Sequence, residues 1–184
     1  MDYGRRKMAL GLGAALLLAG CGNGIGSTGP AVIDGRVDQA LSQLYSTYPA
    51  TREIAEKSTG ILVMPLMTEI GFGLGGAYGR GALRIGGATV DYYSQAKATG
   101  GFQIGGQQYS HVLFFMTDAA LETFRRSPGF AAGANIEFVV PTRGETLAAE
   151  TTTSLAPIVG VIFGQSGLHA GATIEGMKYS RIIP

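Results

Sequence analysis

The sequence predicts an α+β fold: a mostly antiparallel, strongly curved β-sheet, barrel- or sandwich-like, with N-terminal helices and one short helix between strands. Three observations predict it. Helical periodicity is confined to residues before Gly60 and to a stretch near residue 120, whereas the rest reads as short β-rich runs separated by glycine. Helices that precede a run of strands, rather than alternating with them, point to α+β. Glycine is abundant (30 of 184 residues) in a chain that is 46% hydrophobic, so it marks tight curvature and not disorder.

Each element follows in order. Val37, Leu41, Leu44 and Tyr48 recur at helical spacing, with Asp34 as the expected N-cap and Pro49 as the stop. A second short helix, about 50–58, sets Ile54 among Arg52, Glu53, Glu56 and Lys57 and ends at Gly60. Residues 61–64 form an apolar strand halted by Pro65. Residues 70–79 read at period two: Ile70, Phe72, Leu74, Gly76 and Tyr78 on one face, Gly71, Gly73, Gly75, Ala77 and Gly79 on the other. A bare strand face implies close approach by a crossing helix, another sheet or a ligand.

Further strands are expected at 82–85, 89–93 and 101–105, and a central strand at 111–116, which is apolar on both faces. A short helix at Asp118–Arg126 carries Ala119, Leu121 and Phe124. Residues 134–140 alternate as a strand, 141–154 make a polar loop, and 158–163 and 168–175 form a last strand pair joined through 164–167.

The N-terminus carries a targeting signal. Arg5, Arg6 and Lys7 form a basic region, residues 8–18 an apolar one, and Leu18-Ala19-Gly20-Cys21 resembles the bacterial lipoprotein cleavage box. The apolar run, about 11 residues, falls short of the roughly 20 of a spanning helix. Residues 1–20 are therefore expected as a signal peptide, residues 21–33 as an acylated cysteine and flexible tether, and 34–184 as the folded domain. Gly22, in place of Asp, matches outer-membrane sorting, so the domain is expected in the bacterial envelope, facing the periplasm. Arg5-Arg6 leaves twin-arginine export open beside the general route.

Removing the signal takes away three basic residues and one acid, turning a net charge of +1 into −1. That balance gives no electrostatic case for nucleic acid. With Cys21 acylated, no thiol remains for a disulfide or a thiolate metal site.

Several motifs are formal only. Gly71 to Gly76 satisfies G-x-G-x-x-G, but a strand follows it where a dinucleotide site needs a helix N-terminus. His111 and His169 show no metal-ligand spacing, and no G-x-S-x-G elbow accompanies them. Glu145, Glu150 and residues 151–154 read as a solvated loop, without the pattern of a calcium site. Tyr45, Tyr48, Tyr92, Tyr93 and Tyr109 read as core edges with hydrogen-bonded hydroxyls. No cofactor, metal or catalytic constellation is implied.

Three spaced blocks carry a family resemblance. Residues 58–65 (STGILVMP) with 71–81 (GFGLGGAYGRG) resemble the opening block of the SYLF domain family; 101–108 (GFQIGGQQ) resembles its second signature, and 166–176 (SGLHAGATIEG) its C-terminal block. The likeness covers about 34–180 and is nearest the bacterial lipoprotein branch. It implies lipid binding; the phosphoinositide and actin associations of eukaryotic members have no place in a bacterial envelope.

The family usually carries basic residues before its last block, where this chain has Phe163-Gly164-Gln165-Ser166. Arg80 and Arg84 are the nearest replacements. The expected lipid site is a groove beside Gly71, Gly73 and Gly75, bordered by Tyr78, Arg80, Phe102 and His169, with Arg84 nearby. The expected function is non-catalytic binding of phospholipid or another amphiphile, the alternative being an envelope assembly factor with a protein partner.

Overall fold

A computed structural model describes residues 28–131, 136–139, 156–167 and 176–184, with side chains except those at 72–74, 99–104 and 137–139. Three helices, α1 (Gly29–Thr47), α2 (Thr51–Lys57) and α3 (Asp118–Arg126), accompany six strands among these residues. The strands are β1 (Gly60–Ile85), β2 (Ala88–Phe115), β3 (Phe130–Ala131), β4 (Ile136–Val139), β5 (Ile158–Gly167) and β6 (Lys178–Ile182). The sheet curls into a half-barrel, as the glycine content predicts.

Its backbone is one long hairpin. The six short strands expected between 61 and 116 are two, because local irregularities bend them without ending them. Pro65 falls where the register steps from Met64↔His111 to Met67↔Tyr109, so its missing N–H costs the ladder nothing. A second step lies between Phe72 and Leu74. Gly86 (φ 58°) and Gly87 (φ 83°) close the hairpin as a two-residue turn with both φ positive, the geometry that matches strand twist.

Along its whole length β2 pairs with β1. Its other edge takes β6 at 92–96 and β5 at 107–115. β3 pairs with β6; β4 joins β5 in parallel, the other pairings among the described residues being antiparallel. β5 continues through Gly164 and Gly167, expected as a turn, and β6 was not anticipated. Residues 1–27, 141–154 and 168–175 lie outside the described residues, and with them the signal, the acylated cysteine, the polar loop and one expected strand.

Alternation along β2 divides the core in two. Tyr93, Tyr109, Leu113 and Phe115 point into the curl with Leu62, Met64, Met67, Ile162 and Tyr179. Val112 and Phe114 point outward with Val63, Ala82, Val159 and Val161, where Ile33, Val37, Ala40 and Leu44 of α1 and Ile54 of α2 cover them. The helix face read from sequence is thus the buried one.

α1 begins at Gly29, five residues ahead of the expected cap. Pro30 suits the first helical turn, and burial of Ile33 rewards the extension. Asp34 is inside the helix, where its carboxylate accepts from Thr89 Oγ1 (2.9 Å) and Tyr92 Oη (2.8 Å). The expected tether therefore ends at Thr28.

α3 closes the inner side. Leu121 and Phe124 are buried, and Phe124 packs against Tyr93, Phe115 and Phe130 at 4.8, 4.9 and 5.1 Å between ring centroids. Ala119 is exposed, and Ala120 packs in its place. The Thr117 hydroxyl accepts from Ala120 N at 3.2 Å, capping the helix. Thr117→Ala is expected to cost about 1 kcal/mol, read as a lower urea midpoint with an unchanged slope.

Candidate functional site

The glycine stripe has a structural partner. Gly79 and Gly81 are buried, and their bare face meets the first half of the same strand. A Cβ on Gly79 would lie 2.6 Å from Leu66 O, and one on Gly81 would lie 2.9 Å from Val63 C. The close approach inferred from the bare face is real, and at this end backbone supplies it. The opposite face is open: Ile70 is 66% and Tyr78 56% exposed.

The expected site residues fall as follows. Gly71, Gly73 and Gly75 lie in β1, Gly71 opposite Gly105 and Gly75 opposite Thr99, with Gly73 at the register step. Tyr78 and Arg80 pair with Ala96 and Ser94 on the outer face. Arg84, expected near the lipid groove, is mostly buried and holds Asp38 of α1 at 2.7 Å from its Nη1. It pins helix to strand and is not available to a headgroup. Phe102 is in β2, but its side chain, His169 and Cys21 lie outside what the structure describes.

A pocket of about 360 Å³, lined by both polar and apolar groups, opens elsewhere, between α1 and the sheet. α1 supplies Arg36, Gln39 and Gln43; β1 supplies Pro65 and Leu66; β2 supplies Gln108 and Ser110; β5 supplies Gly164 and Ser166. Two irregularities create it. The β1 register step at Met64/Met67 faces the β2–β5 step at Gln108/Ser110, so the sheet is locally splayed. Ser110 Oγ donates to Pro65 O at 2.7 Å and ties the two together. Gly164 has φ 64° and leaves room beside Gln43 that a side chain would fill.

Arg36 is exposed, with no carboxylate partner among the described residues. Around the pocket stand exposed aliphatics: Leu66 in its wall, Ile70 four residues further along the outer face, and Val32 one helical turn before Arg36. Sequence reasoning missed Arg36, Gln39 and Gln43. Their spacing with Val32 marks one flank of α1, but a polar helix flank carries no signal until a wall faces it.

Inside the curl lies a second polar group, closed to solvent. Glu69 accepts from Gln107 Nε2 at 2.9 Å, and His111 Nε2 meets Tyr179 Oη at 2.8 Å. Burial pushes the His111 imidazole down to about 3, so it is neutral in water of ordinary pH. Burial also raises the Tyr109 and Tyr179 hydroxyls, with the Glu69 carboxylate adding to the shift at Tyr109. His111 is a core histidine. Among the described residues no cluster of His, Cys, Asp and Glu is placed to hold a metal, and no helix is long and apolar enough to cross a membrane.

The fold is thus a curled half-barrel on one long hairpin, with α1 and α2 on its outer face, α3 on its inner side and a pocket beneath α1. Residues 96–181, from the first third of β2 into β6, match the family model Ysc84, described as Las17-binding protein actin regulator. This is the SYLF family that the glycine blocks resemble, and the match takes in the second and third of those blocks. No curated protein matches the chain.

Proposed function

We propose that the protein is an outer-membrane lipoprotein, acylated on Cys21 and facing the periplasm, that binds phospholipid or a related amphiphile without catalysis. The observation that carries this reading is the pairing of a pocket holding Arg36 with exposed aliphatics at Val32, Leu66 and Ile70. A headgroup suits the first and acyl chains the second. Eight residue steps separate Cys21 from Gly29, a span of at most roughly 30 Å, so an anchor there would keep the α1 flank near the bilayer.

A lining with one cation, amides and hydroxyls among its described residues supports binding. Cys21→Ser is expected to abolish fatty-acid labelling and release the protein from the membrane fraction. The mature chain with Cys21→Ser, purified without detergent, is expected to carry phospholipid in extracts analysed by mass spectrometry. An apo protein that also ignores vesicles would sink the lipid reading.

A second reading, a protein partner in the envelope, draws on the family description, which names a protein-binding regulator, and on exposed Tyr78 and Ile70. Stoichiometric recovery of one envelope protein, lost in Tyr78→Asp while lipid binding is unchanged, would favour it.

A further inference from the structure

We infer that the pocket beneath α1 selects a singly charged phosphodiester, a lipid headgroup or its soluble glycerophosphodiester counterpart, and rejects phosphomonoesters and polyphosphorylated heads. The inference rests on the amphiphile-binding reading above and deepens it by naming the ligand class.

Charge decides the class. Among the described residues, Arg36 is the only charged side chain in the lining. A phosphodiester carries one negative charge on two non-bridging oxygens, which one guanidinium matches with two parallel hydrogen bonds. Additional phosphate charges would sit in the cleft without a second cation, at a desolvation cost that nothing offsets. The polar side chains in the rest of the described lining are neutral and two-sided. The amides of Gln39, Gln43 and Gln108 and the Ser166 hydroxyl each donate and accept, so they suit hydroxyl or amine groups beyond the phosphate.

Size then divides the ligand. A volume of about 360 Å³ is at the small end for ligand pockets and takes the head alone. The chains of a lipid would leave over Leu66 and along the outer face toward Ile70, both exposed. The stretch Phe163-Gly164-Gln165-Ser166 carries no charge, and Gly164 and Ser166 line the pocket, so the β5 wall is neutral.

The test is calorimetric titration of the mature chain carrying Cys21→Ser. The probes are dihexanoyl-phosphatidylglycerol, dihexanoyl-phosphatidylinositol bisphosphate and glycerophosphoglycerol. Phosphatidylglycerol is expected to bind at least about tenfold more tightly than the bisphosphate, and Arg36→Gln to weaken it by about tenfold with an unchanged melting temperature. Ser166→Asp, which adds an anion to the wall, is expected to weaken it similarly.

Either relation between the lipid and glycerophosphoglycerol supports the diester class: tighter lipid binding identifies a lipid head, equal binding a soluble diester. Preference for the bisphosphate, or phosphatidylglycerol binding indifferent to both variants, overturns the inference and leaves lipid binding standing. Binding of none of the three overturns both.

Discussion

Replacing Gly81 by alanine is expected to destabilise the fold by roughly 3 kcal/mol or more, beyond ordinary overpacking of a core. The new Cβ would fall inside the van der Waals envelope of Val63 O and 2.9 Å from Val63 C, with Met64 Sδ at 2.7 Å. Backbone cannot rotate away, so relief requires opening the curl between the two halves of β1. Gly79→Ala meets Leu66 O at 2.6 Å and is expected to behave alike. Gly35 is the control: it is exposed in α1, and its Cβ would meet nothing within 4 Å. Gly35→Ala is expected to stabilise by about 0.5–1 kcal/mol through helix propensity. Urea denaturation of the three variants checks the set; a Gly81→Ala protein as stable as its parent would mean the halves of β1 do not meet.

Stability is expected to fall on the acid side by about 1.4 kcal/mol per pH unit from His111 alone. In the unfolded chain its imidazole takes a proton near 6.5, whereas in the folded protein burial holds it at about 3. Between those values the unfolded state binds the extra proton, so this contribution is complete above pH 6.5 and is lost as pH drops toward 3. His111 faces Tyr179 and Tyr109 inside the curl, and the direction of their shifts gives the opposite limb. Above about 10 the unfolded tyrosines lose protons that the folded ones keep, and stability declines as pH rises. Denaturation midpoints across pH 4–11 should trace a dome, and His111→Gln should flatten its acid limb. A parent protein equally stable at pH 4.5 and 7 would contradict a buried neutral imidazole.

Periodicity made much of this fold legible. The burial of Val37 and Leu44, the helix at Asp118–Arg126 and the central, doubly covered segment 111–115 all follow from which residues are apolar and at what spacing. The bare glycine face announced close packing correctly at its Gly79 end. Periodicity could not say that the neighbour is the same strand. Nor could it show that Pro65 is a bulge and not an end, because a bulge exists only relative to a paired partner.

The candidate site was less legible for the same reason. Arg84 and Arg36 look alike in sequence; Asp38 engages the first, and the second stands in a pocket. By itself, the sequence determined the class of fold, the curvature and the positions that must be small, since these depend on local composition and spacing. Only tertiary structure decided which arginine is free, which strand faces meet and where the sheet splays, since each depends on groups distant in the chain: Arg36 with Ser166, Gly81 with Val63, His111 with Tyr179.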